Sequence, residues 1–99
     1  ITMATTPEGM VKAQIRKILK DSAAYYAMPM GSGFGKSGVP DFLVCHKGRF
    51  IGIEAKAGKG TTTALQERHL ADIVMAGGVA LVVNEHNLNE LEELLNEGT

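Results

Sequence analysis

One stretch near the middle of the chain, GVPDFLVCHKGRFIGIEAKAG at positions 38–58, constrains the possible folds more than any other. Two apolar segments flank Lys47-Gly48, a pair typical of a tight turn, so the sequence predicts a β-hairpin. Asp41, Glu54 and Lys56 nevertheless interrupt these segments, and charges are rarely buried without partners. The hairpin is therefore expected to be largely buried and yet to hold a charged site.

Length and composition favour one small domain. Ninety-nine residues, 44% of them hydrophobic, suit a single domain over positions 1–99 with a modest core that gains from oligomerisation. Cys45 is the only cysteine, which excludes an intrachain disulfide and favours a reducing, cytoplasmic setting. Because no apolar run approaches about 18 residues and no signal-peptide pattern is seen, we expect no membrane span and no secretion.

Charge is distributed unevenly along the chain, although its net value is only −1. Positions 1–84 contain all ten Lys and Arg residues and six acidic residues, whereas positions 85–99 contain five acidic residues and no Lys or Arg. A basic body attracts phosphate groups. An ordinary solvated surface with an acidic last helix explains the same distribution, and the charges alone favour that simpler interpretation.

Periodicity and capping residues predict three helices and four strands. Thr6-Pro7-Glu8 is a typical helix start, after which Val11 and Ile15 continue one apolar face. We expect helices at about 7–22, 62–76 and 87–97, and strands at 23–30, 40–47, 49–57 and 79–84. The order α-β-β-β-α-β-α predicts an α/β fold in which helices flank a mixed sheet. The last strand should be fully buried, and the second helix should face inward through Leu65, Leu70, Ile73 and Val74.

The charged residues of the hairpin are expected to converge. Side chains alternate along a strand, so Glu54 and Lys56 share one face, and the turn brings Asp41 close to Glu54. Two carboxylates repel each other unless a cation lies between them, and Mg²⁺ typically binds one or two carboxylates with waters and phosphate oxygens. The backbone carbonyl of Ala55 offers one more oxygen. The alternative is that Asp41 is a turn residue and Glu54 and Lys56 form a surface ion pair.

The order of these residues resembles a nuclease signature. Pro40-Asp41, twelve intervening residues and then Glu54-Ala55-Lys56 match the PD-(D/E)XK pattern. The flanking segments KSGVPDFLVC, IGIEAKAGKG and TALQERHLADIVMAGGVALVV are similar to the VRR-NUC family, the virus-type replication-repair nucleases. The similarity extends from TPEGMVKAQIRKIL to the strand at 79–84 and is strongest to short, standalone phage-type members.

The resemblance implies a restriction-endonuclease-like fold and a metal-dependent phosphodiesterase site. Asp41 and Glu54 take the metal-ligand positions and Lys56 that of the catalytic lysine. Glu8 matches an additional acid on the first helix, and Gln66 matches a glutamine on the helix after the lysine motif. Each of the last two has a simpler interpretation. Glu8 suits the positive end of its helix dipole, and the Gln66 amide either meets a phosphate or ligand carboxylate or faces solvent.

The sequence therefore predicts an endonuclease that depends on Mg²⁺ or Mn²⁺ and acts on branched DNA such as four-way junctions. By the same resemblance we expect a homodimer, encoded by a phage or prophage and working in the bacterial cytoplasm. A non-catalytic DNA-binding or assembly module and a sequence-specific restriction-type nuclease are the alternatives.

The loop GSGFGKSG at 31–38 lacks the helix that a dinucleotide-binding loop precedes. The expected phosphate contacts are Lys12, Arg16, Lys36, Lys47, Lys59 and Arg68.

Overall fold

The computed structural model of the chain describes residues 6–30 and 38–97. These residues form an α/β fold with a four-stranded mixed sheet flanked by helices, which confirms the predicted fold class. Within the described ranges, no helix has the length and apolar character needed to cross a membrane. In chain order the elements are α1 (Pro7–Asp21), β1 (Tyr25–Ala27), β2 (Phe42–His46), β3 (Arg49–Ala55), α2 (Ala64–Met75), β4 (Val79–Val83) and α3 (Leu88–Asn96).

The predicted β2–β3 hairpin is present, and it forms the centre of the sheet. The strands lie in the order β1-β2-β3-β4; the first three are antiparallel, and β4 runs parallel to β3 after the crossover through α2. Lys47 and Gly48 connect the hairpin with positive φ angles of 52° and 77°. Two successive residues in the left-handed region are what a two-residue hairpin turn of type I′ requires.

The core lies between one face of the sheet and helices α1 and α3. Val11, Ile15 and Leu19 recur along one side of α1 and are 0–2% exposed, so the predicted amphipathic helix is confirmed. They pack in one cluster with residues from the alternate positions of β2 and β3, from the end of β4 and from α3, namely Phe42, Val44, Ile51, Ile53, Ala55, Val83, Leu91 and Leu95. Because these alternate positions face α1 and α3, the residues between them face α2.

Helix α2 covers the other face of the sheet closely but incompletely. A Cβ atom at Gly52 or Gly78 would lie 2.5 Å or 2.9 Å from side-chain atoms of Ile73, so the helix approaches the sheet where side chains are absent. Leu70 is its only buried residue. The predictions that Leu65 and Val74 face inward are wrong, because these side chains are 44% and 55% exposed.

Two strand predictions also need correction. The first strand is confined to Tyr25–Ala27 rather than 23–30, and Ala23 before it adopts a left-handed φ of 57°. Strand β4 was expected to be fully buried, but it lies at the edge of the sheet, and only Val83 is buried. An edge strand has a strand neighbour on one side only, so an apolar sequence there is left half-buried.

Candidate active site

Asp41 and the last residues of β3 meet at the open end of the hairpin, opposite the Lys47-Gly48 turn. The register pairs Phe42 with Ile53, which places Asp41, one residue earlier, level with Glu54. The Oδ2 atom of Asp41 accepts a hydrogen bond of 2.9 Å from the backbone N–H of Ala55. The hairpin therefore brings the two predicted acidic ligands together, and Ala55 contributes its N–H to fixing Asp41.

Glu54 is the buried acid of the site. Its side chain is only 4% exposed, its Oε2 lies 3.7 Å from Lys56 Nζ, and Lys56 itself is 13% exposed, so the pair is not a surface ion pair. Burial, followed by the neighbouring Asp41 carboxyl group, raises the pKa of Glu54 to about 7, against the opposing effect of the Lys56 ammonium. Among the described residues, Glu54 Oε1 is buried and has no hydrogen-bond partner.

Gln66 holds the second oxygen of Glu54. Thr63 caps α2, and Gln66 takes part in a reciprocal capping box in which its Oε1 accepts the Thr63 N–H at 2.9 Å. This contact fixes the amide so that its Nε2 donates to Glu54 Oε2 at 3.0 Å. Of the two placements considered for Gln66, the structure therefore contains the one beside a carboxylate.

The segment that follows Lys56 is held by contacts that the sequence did not reveal. The Lys56 N–H donates to the Val83 carbonyl at 2.9 Å, and the Gly58 N–H donates to both carboxylate oxygens of Glu85 at 3.0 Å. The backbone N–H groups of Glu85 itself and of Gly58 lower the pKa of Glu85. Glu85 and Gly58 are far apart in sequence, and Glu85 lies outside the motif segments, so only the parallel pairing of β3 with β4 brings them together.

Lys12 links Glu8 to Asp41. Its Nζ lies 3.5 Å from Glu8 Oε2 and 3.5 Å from Asp41 Oδ1. Glu8 therefore reaches the acidic site while it also occupies the first turn of α1, where it suits the helix dipole. Lys12, predicted only as a phosphate contact, lies among the acids instead. The i, i+4 spacing of Glu8 and Lys12 is the one sequence feature from which their pairing could have been predicted.

The acidic residues fit a hard divalent cation through a pair of carboxylates. Glu54 offers a buried oxygen without a protein partner, Asp41 lies beside it, and oxygen donors of this kind suit Mg²⁺ or Mn²⁺. Within residues 6–30 and 38–97, no three His, Cys, Asp or Glu side chains are arranged together to hold a metal ion. The pair Asp41 and Glu54 is thus the centre of the candidate site, and Glu8 is separated from it by Lys12.

The predicted phosphate contacts are dispersed. Lys59 lies in the exposed loop that follows Lys56. Lys47 lies at the turn, six residues along the strand from Asp41 and so about 20 Å away at about 3.3 Å per residue. Arg68 is exposed on α2, nearly opposite Gln66 on the helix. Lys36 falls outside the described residues.

A basic groove flanks the outer side of α1. Arg16, a predicted contact, lines it together with Lys17 and Lys20, which the sequence had not singled out. The groove has a volume of about 360 Å³ and is closed on its other side by Tyr26 of β1. Lys12, Arg16 and Lys20 follow one another at intervals of four residues, so one stripe of α1 leads from the acidic site to the groove.

A scan against protein-family models, a search of curated proteins and a search of solved structures each found no match. The relation to the VRR-NUC family remains a prediction based on the residues quoted above.

Proposed function

We propose that the chain is an endonuclease that hydrolyses phosphodiester bonds in DNA with the help of Mg²⁺ or Mn²⁺. The observation that carries the proposal is the buried Glu54 Oε1, which has no hydrogen-bond partner among the described residues and lies beside a second carboxylate. An unpaired buried carboxylate oxygen is costly for the fold, and a bound cation would remove that cost. Lys56 and Gln66 complete the set around it.

Each residue has a distinct task in this proposal. Asp41 and Glu54 would hold the metal ion, with Glu8 and the Ala55 carbonyl as further oxygen donors, while Gln66 keeps the Glu54 carboxylate in one orientation. A metal ion in such a site supplies Lewis-acid activation of the phosphate and of the attacking water. Lys56, mostly buried beside Glu54, holds a fixed positive charge next to the reacting phosphate and stabilises the negative charge that develops there.

The basic groove on α1 supports DNA as the substrate. Arg16, Lys17 and Lys20 line one depression, and of these only Lys17 has an acidic ion-pair partner among the described residues, Asp21. Cations in a groove beside an acidic metal site neutralise phosphates on either side of the scissile bond and position the strand. Branched DNA, such as a four-way junction, is the substrate class that the sequence resemblance suggests.

An apolar surface on the opposite side supports a homodimer, which two coordinated cuts in a junction require. Phe50, Val74 and Met75 are 45%, 55% and 86% exposed. A groove of about 430 Å³ lies between Phe50 and the end of α2, and β4 beside it is an open sheet edge. Apolar surface next to an unpaired edge favours self-association. Sedimentation equilibrium of the wild type and M75E tests this part, since a monomeric wild type would contradict it.

The test of the activity is cleavage by the purified protein with Mg²⁺ or Mn²⁺, on linear duplex, flap and four-way junction DNA of matched sequence. We expect metal-dependent cutting that is fastest on the junction. E54Q should abolish cutting, whereas the matched substitution E92Q, on the exposed side of α3, should not. DNA binding without cleavage under every metal condition would support the non-catalytic binding module instead.

A further inference from the structure

We infer that the Lys12 ammonium is a resident counter-ion of the acidic site, and that it must leave its position before Glu8 and Asp41 can bind a divalent cation. This inference rests on the proposed function. Lys12 Nζ is equidistant, at 3.5 Å, from Glu8 Oε2 on α1 and from Asp41 Oδ1 at the start of β2. It thus lies between two oxygens that belong to the proposed metal-ligand set.

A second pair on the same helix shows how unusual this arrangement is. Lys17 and Asp21 have the same i, i+4 spacing, but their distance is 2.8 Å and their side chains are 76% and 63% exposed. The Lys17 ammonium pairs with a single acidic residue, Asp21, at the protein surface. Lys12 is 32% exposed and is shared between two acids at a longer, equal distance, which is the position of a bridging cation rather than of a simple helix pair.

The two lysines of the site differ in their freedom to move. Lys56 is 13% exposed and adjoins Glu54, which Gln66 also holds, so this ammonium is fixed. Lys12 retains about a third of its exposure, and its four-carbon stem lets the ammonium swing outward without any change in the backbone. The site therefore combines one fixed positive charge with one that can be displaced.

Displacement follows from electrostatics. An ammonium and a divalent cation repel each other and cannot both lie between the same pair of oxygen atoms. Once Lys12 has left, the oxygens of Glu8 and Asp41 become available, and the released charge lies at the start of the stripe that leads to Arg16 and Lys20. Lys12 therefore weakens metal binding in the absence of DNA and turns to a DNA phosphate when the metal site is filled.

The test is a calorimetric titration of Mn²⁺ into the wild type, K12Q, K12R and K17Q, without DNA. We expect K12Q to bind Mn²⁺ about tenfold more tightly than the wild type, which corresponds to about 1.4 kcal/mol. K12R keeps the charge and should bind like the wild type. K17Q removes one charge from the same helix away from the acids, and its affinity should change less than about twofold because exposed charges are screened.

The outcomes separate the two proposals. If K12Q binds Mn²⁺ no more tightly than the wild type, Lys12 does not compete with the metal, and the inference fails while the metal site stands. If K12Q and K17Q tighten binding equally, the effect is one of net charge, and the inference also fails. If no variant binds Mn²⁺, the proposed function fails and takes the inference with it. Circular dichroism of each variant establishes that the proteins compared are folded.

Discussion

The two ends of the β2–β3 hairpin both bury polar side chains, but they satisfy them in opposite ways. At the turn end, His46 Nε2 lies 3.1 Å from the Leu95 carbonyl, and the Arg49 guanidinium donates to the carbonyls of Leu94 and Glu97. At the open end, the Glu54 carboxylate retains a buried oxygen without a partner and has a raised pKa. The turn end thus attaches α3 to the sheet, whereas the open end has an incomplete set of partners.

The two ends of the hairpin differ in the partners of their buried charged groups, not in the number of buried atoms without a hydrogen bond. Arg49 Nε is also buried without a partner among the described residues, but the same guanidinium makes its other contacts to α3 and lies 3.6 Å from Glu97 Oε1. A guanidinium that stays charged beside carbonyls and a carboxylate is stabilised by them. A buried carboxylate beside a second carboxylate is destabilised. Only the open end therefore gains from an additional cation.

The largest expected effect is on cleavage and concerns the open end. D41N keeps an oxygen that can accept the Ala55 N–H, so the fold should persist, but it removes a metal-ligand charge. We expect the cleavage rate to fall by about 100-fold or more, the scale on which loss of a transition-state electrostatic contact acts. Single-turnover cleavage of a junction by D41N and by E92Q measures this, and wild-type rates in D41N would refute the assignment of Asp41.

A substitution at the turn end should lower the stability of the protein rather than its cleavage activity. R49Q removes the guanidinium that contacts Leu94 and Glu97, so we expect the free energy of unfolding to fall by about 1–3 kcal/mol. Cleavage per folded molecule should be unchanged, because Arg49 lies at the other end of the strand from Glu54. Urea unfolding, paired with cleavage assays at urea concentrations below the unfolding transition, tests this difference between the two ends. A loss of activity in folded R49Q would contradict it.

Glu54 should make the stability of the metal-free protein depend on pH. Its pKa is raised from 4.5 to about 7, so the folded state binds the proton more tightly than the unfolded chain. The stabilisation of the folded state by protonated Glu54 is therefore fully present below about pH 4.5 and is lost as the pH rises through about 7. E54Q should remove this loss and raise stability at pH 8 by about 2 kcal/mol. Thermal unfolding at several pH values tests this, and E92Q should keep the wild-type slope.

The smallest expected effect concerns the basic groove, which belongs to neither end of the hairpin. Replacing Arg16 and Lys20 together by glutamine removes two phosphate contacts, and affinity for DNA should fall several-fold. A plot of log affinity against log salt concentration should become shallower, its slope losing about two in magnitude, since each neutralised phosphate contributes about 0.9. Fluorescence anisotropy across salt concentrations measures both quantities, and an unchanged slope would remove the groove from the proposed DNA-binding surface.

The sequence predicted the parts of the fold that local patterns determine. The turn residues fixed the hairpin register, which placed Asp41 beside Glu54, and apolar periodicity placed Val11 and Ile15 in the core. Strand β4 was misjudged because an apolar run does not reveal whether a strand is central or at an edge. Leu65 and Val74 were misjudged because α2 meets the sheet through Ile73 over two glycines rather than through a broad apolar face.

The composition of the site was predictable, but its internal contacts were not. Asp41, Glu54 and Lys56 followed from strand alternation and motif spacing, whereas the contact of Gln66 with Glu54 depends on a capping box that directs the amide. The place of Lys12 depends on how closely α1 approaches the start of β2, which no local pattern encodes. Glu85 accepts a hydrogen bond from Gly58 in the loop after β3, and only the parallel β3–β4 pairing brings these two residues together.

The central claim is that the open end of the hairpin is a cation site controlled by Glu54, and a calorimetric titration of Mn²⁺ at pH 6 and pH 8 tests it most directly. The metal ion competes with the proton on Glu54, and the pKa of that group is about 7. The wild type should therefore bind Mn²⁺ about tenfold more tightly at pH 8 than at pH 6, whereas E54Q should bind weakly at both. Binding that is absent, or that is unaffected by E54Q, would contradict the account.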